Sequence, residues 1–288
     1  MAQYDTIGTS YDVIKTTAFN KLEQVSFRRN VEPLLHPPGT KTVLDLACGT
    51  GFYSQRLLEW GAASVVGVDV SSAMVEGAVE RLRRTPYSDR SRFEQGDGMV
   101  PRRYDNQDGS GRGPGGFDVV TGTWFLNYAE DAQQLRLMFE TVAANLKPSG
   151  GVFVGICLHP TDDLAAHAAG VNRSAWNRTG VHYVYDEAAM ASGLGYRFKV
   201  VATPPASAPP GTRGIEFESF HLKKRLYEEA ARLAGLQGRL EWRGCEFLGS
   251  GGNDGDDWRS EIGLEKDEEG WNSLREYPQV CIMVLRRE

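Results

Sequence analysis

The sequence lacks the long runs that mark membrane proteins and nucleic-acid-binding proteins. No stretch approaches the roughly 18 consecutive apolar residues that a transmembrane helix needs, and the N-terminus lacks the charged head and apolar run of a secretory signal. The densest basic cluster is "KKR" at 223–225, and the net charge is −6. Because affinity for nucleic acid depends on neutralising phosphates, neither nucleic acid nor a membrane is expected as a partner.

Cysteine is also scarce, and its positions match no zinc-binding spacing. The four residues are Cys48, Cys157, Cys245 and Cys281. Three of them lie in or beside apolar, strand-like segments, which favours buried thiols in a reducing compartment, and hence a cytoplasmic protein. No metal site is expected. With 41% apolar and 24% charged residues over 288 positions, the chain is expected to be a single globular domain with insertions.

Residues 41–158 alternate between short apolar runs and helical patterns. This alternation predicts an α/β fold with a doubly wound, mostly parallel sheet that is covered on both faces. The expected strands are 41–47, 64–70, 91–98, 117–123 and 151–158, and the expected helices between them are 52–61, 71–84 and 129–146.

The remaining segments give weaker patterns. Residues 11–35 predict a helix that "HPPG" ends, and the glycine-rich 102–116 predicts a loop or insertion. Beyond residue 158 the pattern changes: 159–195 is hard to assign, and two strands, 195–203 and 214–222, are expected to pair antiparallel over the core. A helix, a strand and the acidic connection 250–270 follow, and 277–288 predicts a last strand that closes the sheet.

The turn after the first expected strand points to a nucleotide ligand. It reads Gly49-Thr50-Gly51, with Ser54 where a third glycine would complete G-x-G-x-x-G. Glycine lets the backbone approach a ligand without a Cβ clash. Asp69 ends the next strand, where a carboxylate can accept both ribose hydroxyls. These features alone also suit a dinucleotide.

Two further carboxylates distinguish between nucleotides. Asp45 precedes the turn, where a pyrophosphate has little use for a negative charge but a ligand with a positive amino group does. Asp97 follows the third expected strand and suits an adenine amino group. S-Adenosylmethionine, which has a ribose, an adenine, a cationic end and no phosphate, fits this description.

The segments "VLDLACGTGFYSQRL", "VVGVDVSSAMVEGA", "FEQGDG", "FDVVTGTWFLNYA" and "LKPSGG" resemble, in order, the successive motifs of class I S-adenosylmethionine-dependent methyltransferases. The resemblance is specific over 41–158, looser over 1–40 and weak over 159–275. It implies a seven-stranded, Rossmann-like sheet. It also implies that the chain is divided into four parts: an N-terminal helical lid (1–40), a cofactor-binding core (41–158), a substrate-cap insertion (159–220) and the C-terminal part of the core sheet (221–288).

The resemblance also implies a role for each matching position. The methionine part of the cofactor is expected against Asp45, Ala47, Gly49 and Gly51, with its amino group beside the backbone of Thr121 and Gly122. The ribose is expected at Asp69, and the adenine near Val70, Met74, Asp97 and Gly98. In the lid, Tyr11 is expected to close over the sulfonium, and either Arg28 or Arg29 to pair with the cofactor carboxylate.

The acceptor is less defined. His159, directly after the fifth strand, is the preferred general base, with His182 as the alternative, and Tyr128 is expected to line the acceptor pocket. Aromatic residues in 159–220 favour a small-molecule acceptor, such as a secondary metabolite, methylated on oxygen, nitrogen or carbon. The product would be S-adenosylhomocysteine. A non-methylating enzyme that binds the cofactor, an NAD(P)-dependent oxidoreductase and an interaction module are the alternatives, and the oligomeric state stays open.

Overall fold

The computed structural model describes residues 8–106, 116–174, 180–204, 208, 210–245, 272 and 274–287. Most of the predicted loop at 102–116, and the whole acidic connection at 250–270, lie outside the described residues.

The described chain forms a seven-stranded sheet in the order β3-β2-β1-β4-β5-β10-β9. The strands are parallel except β10, which runs antiparallel to both neighbours. This confirms the predicted doubly wound, mostly parallel sheet. Its strands are β1 (Thr42–Leu46), β2 (Ser64–Asp69), β3 (Ser91–Gln95), β4 (Val119–Thr123), β5 (Val152–Leu158), β9 (Leu240–Gly244) and β10 (Val280–Arg286).

The strand order reverses at the centre of this sheet, between β1 and β4. β1 pairs with β2 on one side and with β4 on the other, and both β1 and β4 are buried along their whole length. In open α/β sheets a ligand binds outside the carboxyl ends of the strands at this switch point.

Two of the helices that flank the sheet begin at capping residues that the sequence shows. Ser71 accepts a hydrogen bond from the backbone of Met74, and Asp131 accepts one from Gln134. The helices are α1 (Ala18–Val31), α2 (Phe52–Glu59), α3 (Ser72–Arg83), α4 (Ala132–Asn145), α5 (Leu164–Arg173) and α6 (Lys224–Leu233). Among the helices in the described part of the chain, none combines the length and the apolar character that crossing a membrane requires.

The single helix predicted over 11–35 consists of three segments. A 3-10 helix spans Gly8–Thr16, α1 follows, and a second 3-10 turn covers Glu32–Leu35. The break occurs at Thr17, whose extended backbone lets its hydroxyl accept a hydrogen bond from the backbone N–H of Asn20 and so cap α1. The apolar spacing continues through this cap, which is why the spacing alone predicted one helix.

A separate antiparallel sheet lies between α5 and α6 along the chain. Its strands are β6 (Val181–Tyr185), β7 (Gly195–Ala202) and β8 (Ile215–Leu222), in that order. The pairing of β7 with β8 confirms the predicted antiparallel pair. In β7 and β8 most buried positions alternate with exposed ones, so this cap sheet turns one face to the interior.

Candidate active site

A cavity of about 310 Å³ opens at the carboxyl ends of the central strands. We call it the strand-end cavity. Nine of the residues singled out from the sequence line this cavity. These are Tyr11, Ala47, Gly49, Asp69, Val70, Met74, Asp97, Gly98 and Tyr128.

The turn after β1 forms one wall of the strand-end cavity. Gly49 has φ +54°, and a Cβ at this position would meet no atom within 4 Å, so the missing side chain leaves space for a ligand. Ala47 adopts φ 57°, a left-handed conformation that is uncommon for a residue with a Cβ. Gly51 lies behind the wall, where it precedes α2, and a Cβ there would approach that of Ala78 at 3.0 Å.

Asp69 joins this turn to the next one. Its Oδ2 accepts a hydrogen bond from the backbone N–H of Gly49 at 2.9 Å, and its Oδ1 accepts one from Ser71 at 3.0 Å. The carboxylate thus holds both turns together and still lines the strand-end cavity.

Asp45 lies fully buried beneath the turn. Its oxygens accept hydrogen bonds from the hydroxyls of Ser54 at 2.6 Å and Thr121 at 2.9 Å. Burial raises the pKa of Asp45 to about 6, although these hydrogen bonds oppose the rise. Gly122 is also behind the wall, where a Cβ would contact Phe125 and Phe153 at about 3 Å.

The opposite wall is mostly apolar. Val70, Met74 and Phe125 line it, and a Cβ at Gly98 would come within 2.3 Å of the Phe125 ring. The exposed Asp97 accepts a hydrogen bond from the backbone N–H of Met99 through Oδ1 at 2.8 Å. A flat aromatic ligand group with one polar edge fits between such walls.

The N-terminal 3-10 helix covers the strand-end cavity. Asp12 fastens it, because its carboxylate accepts hydrogen bonds from Thr50 Oγ1 at 2.6 Å and from the guanidinium of Arg81. Next to it, Tyr11 lines the cavity, and burial raises the pKa of its hydroxyl well above the ordinary value.

Sequence reasoning missed Lys15, which lies in a narrow recess beside the glycine turn. Gly49 and Thr50 also line this turn recess. The Lys15 ammonium lies 4.6 Å from the ring centroid of Tyr53, and burial lowers its pKa. Among the described residues, Lys15 forms no ion pair with a carboxylate. Its only signal in the sequence is a basic residue directly after the apolar pair Val13-Ile14, four positions after Tyr11.

Arg28 is placed elsewhere, on the exposed side of α1. Its guanidinium donates to the Glu32 carboxylate at 2.8 and 3.0 Å, and its side chain is 55% exposed. It does not line the strand-end cavity or the turn recess.

A second, much narrower cavity of about 20 Å³ lies between α1, the segment after β4 and the cap sheet, and we call it the cap cavity. It shares Tyr11, Trp124 and Tyr128 with the strand-end cavity. The residues that line only the cap cavity are Ile14, Phe19, Glu23, Asn127, Val181, Phe198, Val200 and Phe217.

Glu23 is the charged group of the cap cavity and was also missed from the sequence. It is 1% exposed. Its Oε2 accepts hydrogen bonds from Asn20 Nδ2 at 2.8 Å and from the Tyr53 hydroxyl at 3.3 Å, and its Oε1 accepts one from Trp124 Nε1 at 2.9 Å. Burial raises its pKa. In the sequence it is one polar position of a helix.

His159 lies in a cluster of three histidines rather than among the residues that line the two cavities. Its ring stacks on that of His167 at 5.5 Å, which meets His221 at 5.4 Å. The Nε2–H of His221 donates to the carbonyl of His159 at 2.9 Å, since a carbonyl only accepts, and its Nδ1 accepts from the Tyr185 hydroxyl at 2.8 Å. Burial lowers the pKa of all three imidazoles, so the cluster is neutral at neutral pH. The described residues contain no group of three or more side chains arranged to hold a metal ion.

A profile of the methyltransferase domain family matches residues 43–150. Curated relatives, two methyltransferases among them, also match part of the chain. A ribosomal protein L11 methyltransferase from Burkholderia cenocepacia is 30% identical over 141 residues, which are 48% of this chain and 40% of the relative. A ubiquinone biosynthesis O-methyltransferase from Pseudomonas paraeruginosa is 35% identical over 115 residues, which are 40% of this chain and 43% of the relative. The match thus spans about two fifths of the length of these relatives.

Solved structures resemble the chain over most of its length. An S-adenosylmethionine-dependent methyltransferase from Mesorhizobium loti superposes with a TM-score of 0.51 at 20% identity, over 91% of this chain and 98% of the other. At this identity the likeness shows the fold.

Proposed function

We propose that the protein, whose residues 43–150 match the methyltransferase domain family, is a class I S-adenosylmethionine-dependent methyltransferase that transfers the cofactor's methyl group to a small-molecule acceptor. S-Adenosylhomocysteine is the second product. The observation that carries the proposal is the strand-end cavity, in which the turn glycine, Asp69 and an apolar slot with one polar edge meet at the switch point of the sheet.

The residues of the strand-end cavity fit the adenosine part of this cofactor. Asp69 would accept the ribose hydroxyls, because it lies at the cavity wall with both oxygens fixed by backbone N–H groups. Val70 and Met74 would cover one side of the adenine, and Asp97 with Gly98 would face its edge. The space beside Gly49 admits a ligand where any other residue would place a Cβ.

The methionine part would extend into the turn recess. Here the cation is Lys15, and we assign it, in place of Arg28, as the partner of the cofactor carboxylate. Asp45 with Thr121 would provide negative charge and oxygen acceptors beneath the cofactor amino group. Gly51 and Gly122 would not contact the cofactor but would allow close packing behind the cavity wall, against Ala78 and Phe153 respectively.

When bound, the cofactor supplies a methyl group that is already activated by its sulfonium. The chain then contributes mainly position, since holding a nucleophile in line with the methyl group can lower the barrier by roughly 7–11 kcal/mol. Tyr11, which lines both cavities, would cover the sulfonium, and an aromatic face at this position adds on the order of 1–2 kcal/mol of attraction.

The cap cavity is the proposed acceptor site. It meets the strand-end cavity at Trp124 and Tyr128, and its apolar walls come from α1 and the cap sheet. A narrow, mostly apolar space that opens on the larger strand-end cavity favours a compact metabolite over a folded protein, and secondary metabolism in the cytoplasm is the proposed context. Tyr128 would contact the acceptor. His159 as general base stays a prediction, tested by whether His159→Ala slows turnover.

The division into lid, cofactor-binding core, cap insertion and C-terminal sheet segment follows from the same proposal. Residues 1–40 and 159–220 would form the acceptor side, and 41–158 with 221–288 would form the sheet that carries the cofactor.

Calorimetric titration of the purified protein with S-adenosylmethionine, S-adenosylhomocysteine and NADH tests the proposal. Micromolar binding of the first two without binding of NADH is the expected result. Binding of NADH alone would contradict it, and would assign Asp69 to the ribose of a dinucleotide.

A further inference from the structure

The cap cavity contains a buried carboxylate whose position is fixed from three sides. Glu23 accepts hydrogen bonds from Asn20, Tyr53 and Trp124. The Asn20 amide and the indole N–H can only donate through these nitrogens, so both carboxylate oxygens act as acceptors, which suits the ionised form. Among the described residues, Oε1 has only Trp124 as a partner, which leaves this oxygen a lone pair for a ligand in the cavity.

The backbone of Trp124 adopts a strained conformation that accompanies this arrangement. Trp124 has φ 61°, which is an outlier for a bulky residue. In this conformation its indole N–H reaches Glu23, 101 positions away in the sequence. Such strain persists where the surrounding contacts over-determine it, and it clusters at ligand sites.

The charge of Glu23 lacks an ion-pair partner among the described residues. Lys15 is the basic group that most lowers the pKa of Glu23, but the two side chains form no ion pair, and Lys15 lines the turn recess. In the proposed cofactor complex, the charge of Lys15 is matched by the cofactor carboxylate. A buried carboxylate then requires a cation from another source, because an isolated charge in an apolar surrounding is costly.

We propose that the acceptor is an amine with a compact apolar body, which binds to Glu23 as an ammonium ion and is methylated on nitrogen; this inference rests on the proposed function. Tyr11, Trp124 and Tyr128 place aromatic rings around the same space, and such rings attract cations within about 6 Å. The cap cavity, at about 20 Å³, has room for the ammonium group, and the apolar body would extend past the shared Tyr11, Trp124 and Tyr128 toward the larger strand-end cavity.

The reaction balances without a further reactant. The ammonium gives one proton to the Glu23 carboxylate, which leaves a lone pair on nitrogen. This lone pair forms the N–C bond to the methyl carbon while the C–S bond breaks, and the electron pair of that bond stays on sulfur as a neutral thioether. The product is a methylated ammonium ion, and the proton on Glu23 passes to solvent.

A matched pair of probes tests the inference. The full-length protein, saturated with S-adenosylhomocysteine, is titrated at pH 7.5 with benzylamine and with benzyl alcohol, which have nearly the same shape but differ in charge. Benzylammonium is expected to bind at least about tenfold more tightly, as charge-assisted hydrogen bonding to a buried carboxylate requires. Glu23→Gln should reduce this preference below about threefold, whereas Glu59→Gln, which removes an exposed carboxylate on α2, should retain it.

Three results would overturn the inference: equal affinity for the two probes in the unaltered protein, a preference that survives Glu23→Gln, or no binding of either probe. The first does not depend on the variant, so misfolding of Glu23→Gln cannot obscure it. Binding of S-adenosylhomocysteine is measured beforehand. Its absence would contradict the proposed function itself, whereas intact binding without an ammonium preference would contradict only the assignment of an amine acceptor.

Discussion

The strand-end cavity and the cap cavity meet at Tyr11, Trp124 and Tyr128, yet they are built by different means. One wall of the strand-end cavity owes its shape to backbone conformation in a short turn, with positive φ at Ala47 and Gly49. The cap cavity is walled by side chains from α1, the cap sheet and the segment after β4.

This difference determines which changes each cavity tolerates. A turn held by backbone hydrogen bonds to one carboxylate tolerates little change, because it depends on that carboxylate and on missing Cβ atoms. A wall of apolar side chains admits substitution as long as volume is retained. The same fold can therefore keep its cofactor site while its acceptor site changes.

The largest expected effect is on the strand-end cavity. Asp69→Ala removes the acceptor of two backbone N–H groups and of the proposed ribose hydroxyls, and it should weaken S-adenosylhomocysteine binding by about 1–3 kcal/mol. Calorimetric titration measures the change, with Asp89→Ala, an exposed carboxylate, as the matched control. Unchanged affinity would show that Asp69 does not bind the ribose.

An effect of comparable size is expected at the cluster of three histidines, where acid should lower the free energy of unfolding. His167 and His221 join α5 and the cap sheet to the end of β5, and burial lowers their pKa values to about 4 and about 3. Below the ordinary value of about 6.5 the unfolded chain binds these protons and the folded chain does not. Each histidine should therefore lower the free energy of unfolding by about 2 kcal/mol as the pH falls from 6.5 to 5.

Denaturant unfolding of His167→Leu and of the unaltered protein, each at pH 6.5 and pH 5, measures how much His167 contributes to this loss of stability. Asp45 acts in the opposite direction, because burial raises its pKa to about 6 in the folded state, so the comparison with the unaltered protein is what matters. His167 Nε2 is buried without a hydrogen-bond partner, so leucine should be tolerated at pH 7.5. An equal loss of stability with acid in both proteins would exclude His167 as the cause.

The turn recess offers a smaller effect that separates two cations. Lys15→Met should weaken S-adenosylhomocysteine binding by about 1.5 kcal/mol, because the cofactor carboxylate loses a charged partner. Arg28→Met should change it by less than about 0.5 kcal/mol, since Arg28 is exposed and paired with Glu32. 5′-Methylthioadenosine, which lacks the carboxylate, should bind Lys15→Met and the unaltered protein equally. A larger loss of affinity in Arg28→Met than in Lys15→Met would instead assign Arg28 as the partner of the cofactor carboxylate.

The smallest effect concerns the attachment of the N-terminal 3-10 helix. Asp12 and Arg81 are partly exposed, so their ion pair should contribute less than about 1 kcal/mol. Asp12→Asn should accelerate dissociation of S-adenosylhomocysteine by less than about fivefold, measured by stopped-flow displacement. A rate unaffected by the substitution would mean that this helix does not retain the cofactor.

The same difference between the cavities explains what could be predicted from the sequence. The turn of the strand-end cavity depends on residue types at fixed local spacing, so Gly49, Asp69 and Asp97 were identifiable in order along the chain. The sheet followed from the alternation of strands and helices. Glu23 and Trp124, in contrast, meet across 101 positions through an unusual φ, and no local pattern encodes such a contact.

The N-terminal region shows the same limit. The cap at Thr17 interrupts an apolar spacing that runs on unchanged, and Lys15 is a lone basic residue until the fold places it beside Gly49. α5 and β6 fall in the segment that the sequence left unassigned, because β6 forms its sheet only together with β7.

Tyr11 has a consequence for the order of events in turnover. One short helix, Gly8–Thr16, lies over the strand-end cavity and, through Tyr11 and Ile14, also forms a wall of the cap cavity. The cofactor must enter before this helix is fastened, and the acceptor has a complete chamber only afterwards. The proposed function therefore predicts an ordered sequence, in which the cofactor binds first, the methylated product departs next, and S-adenosylhomocysteine leaves last.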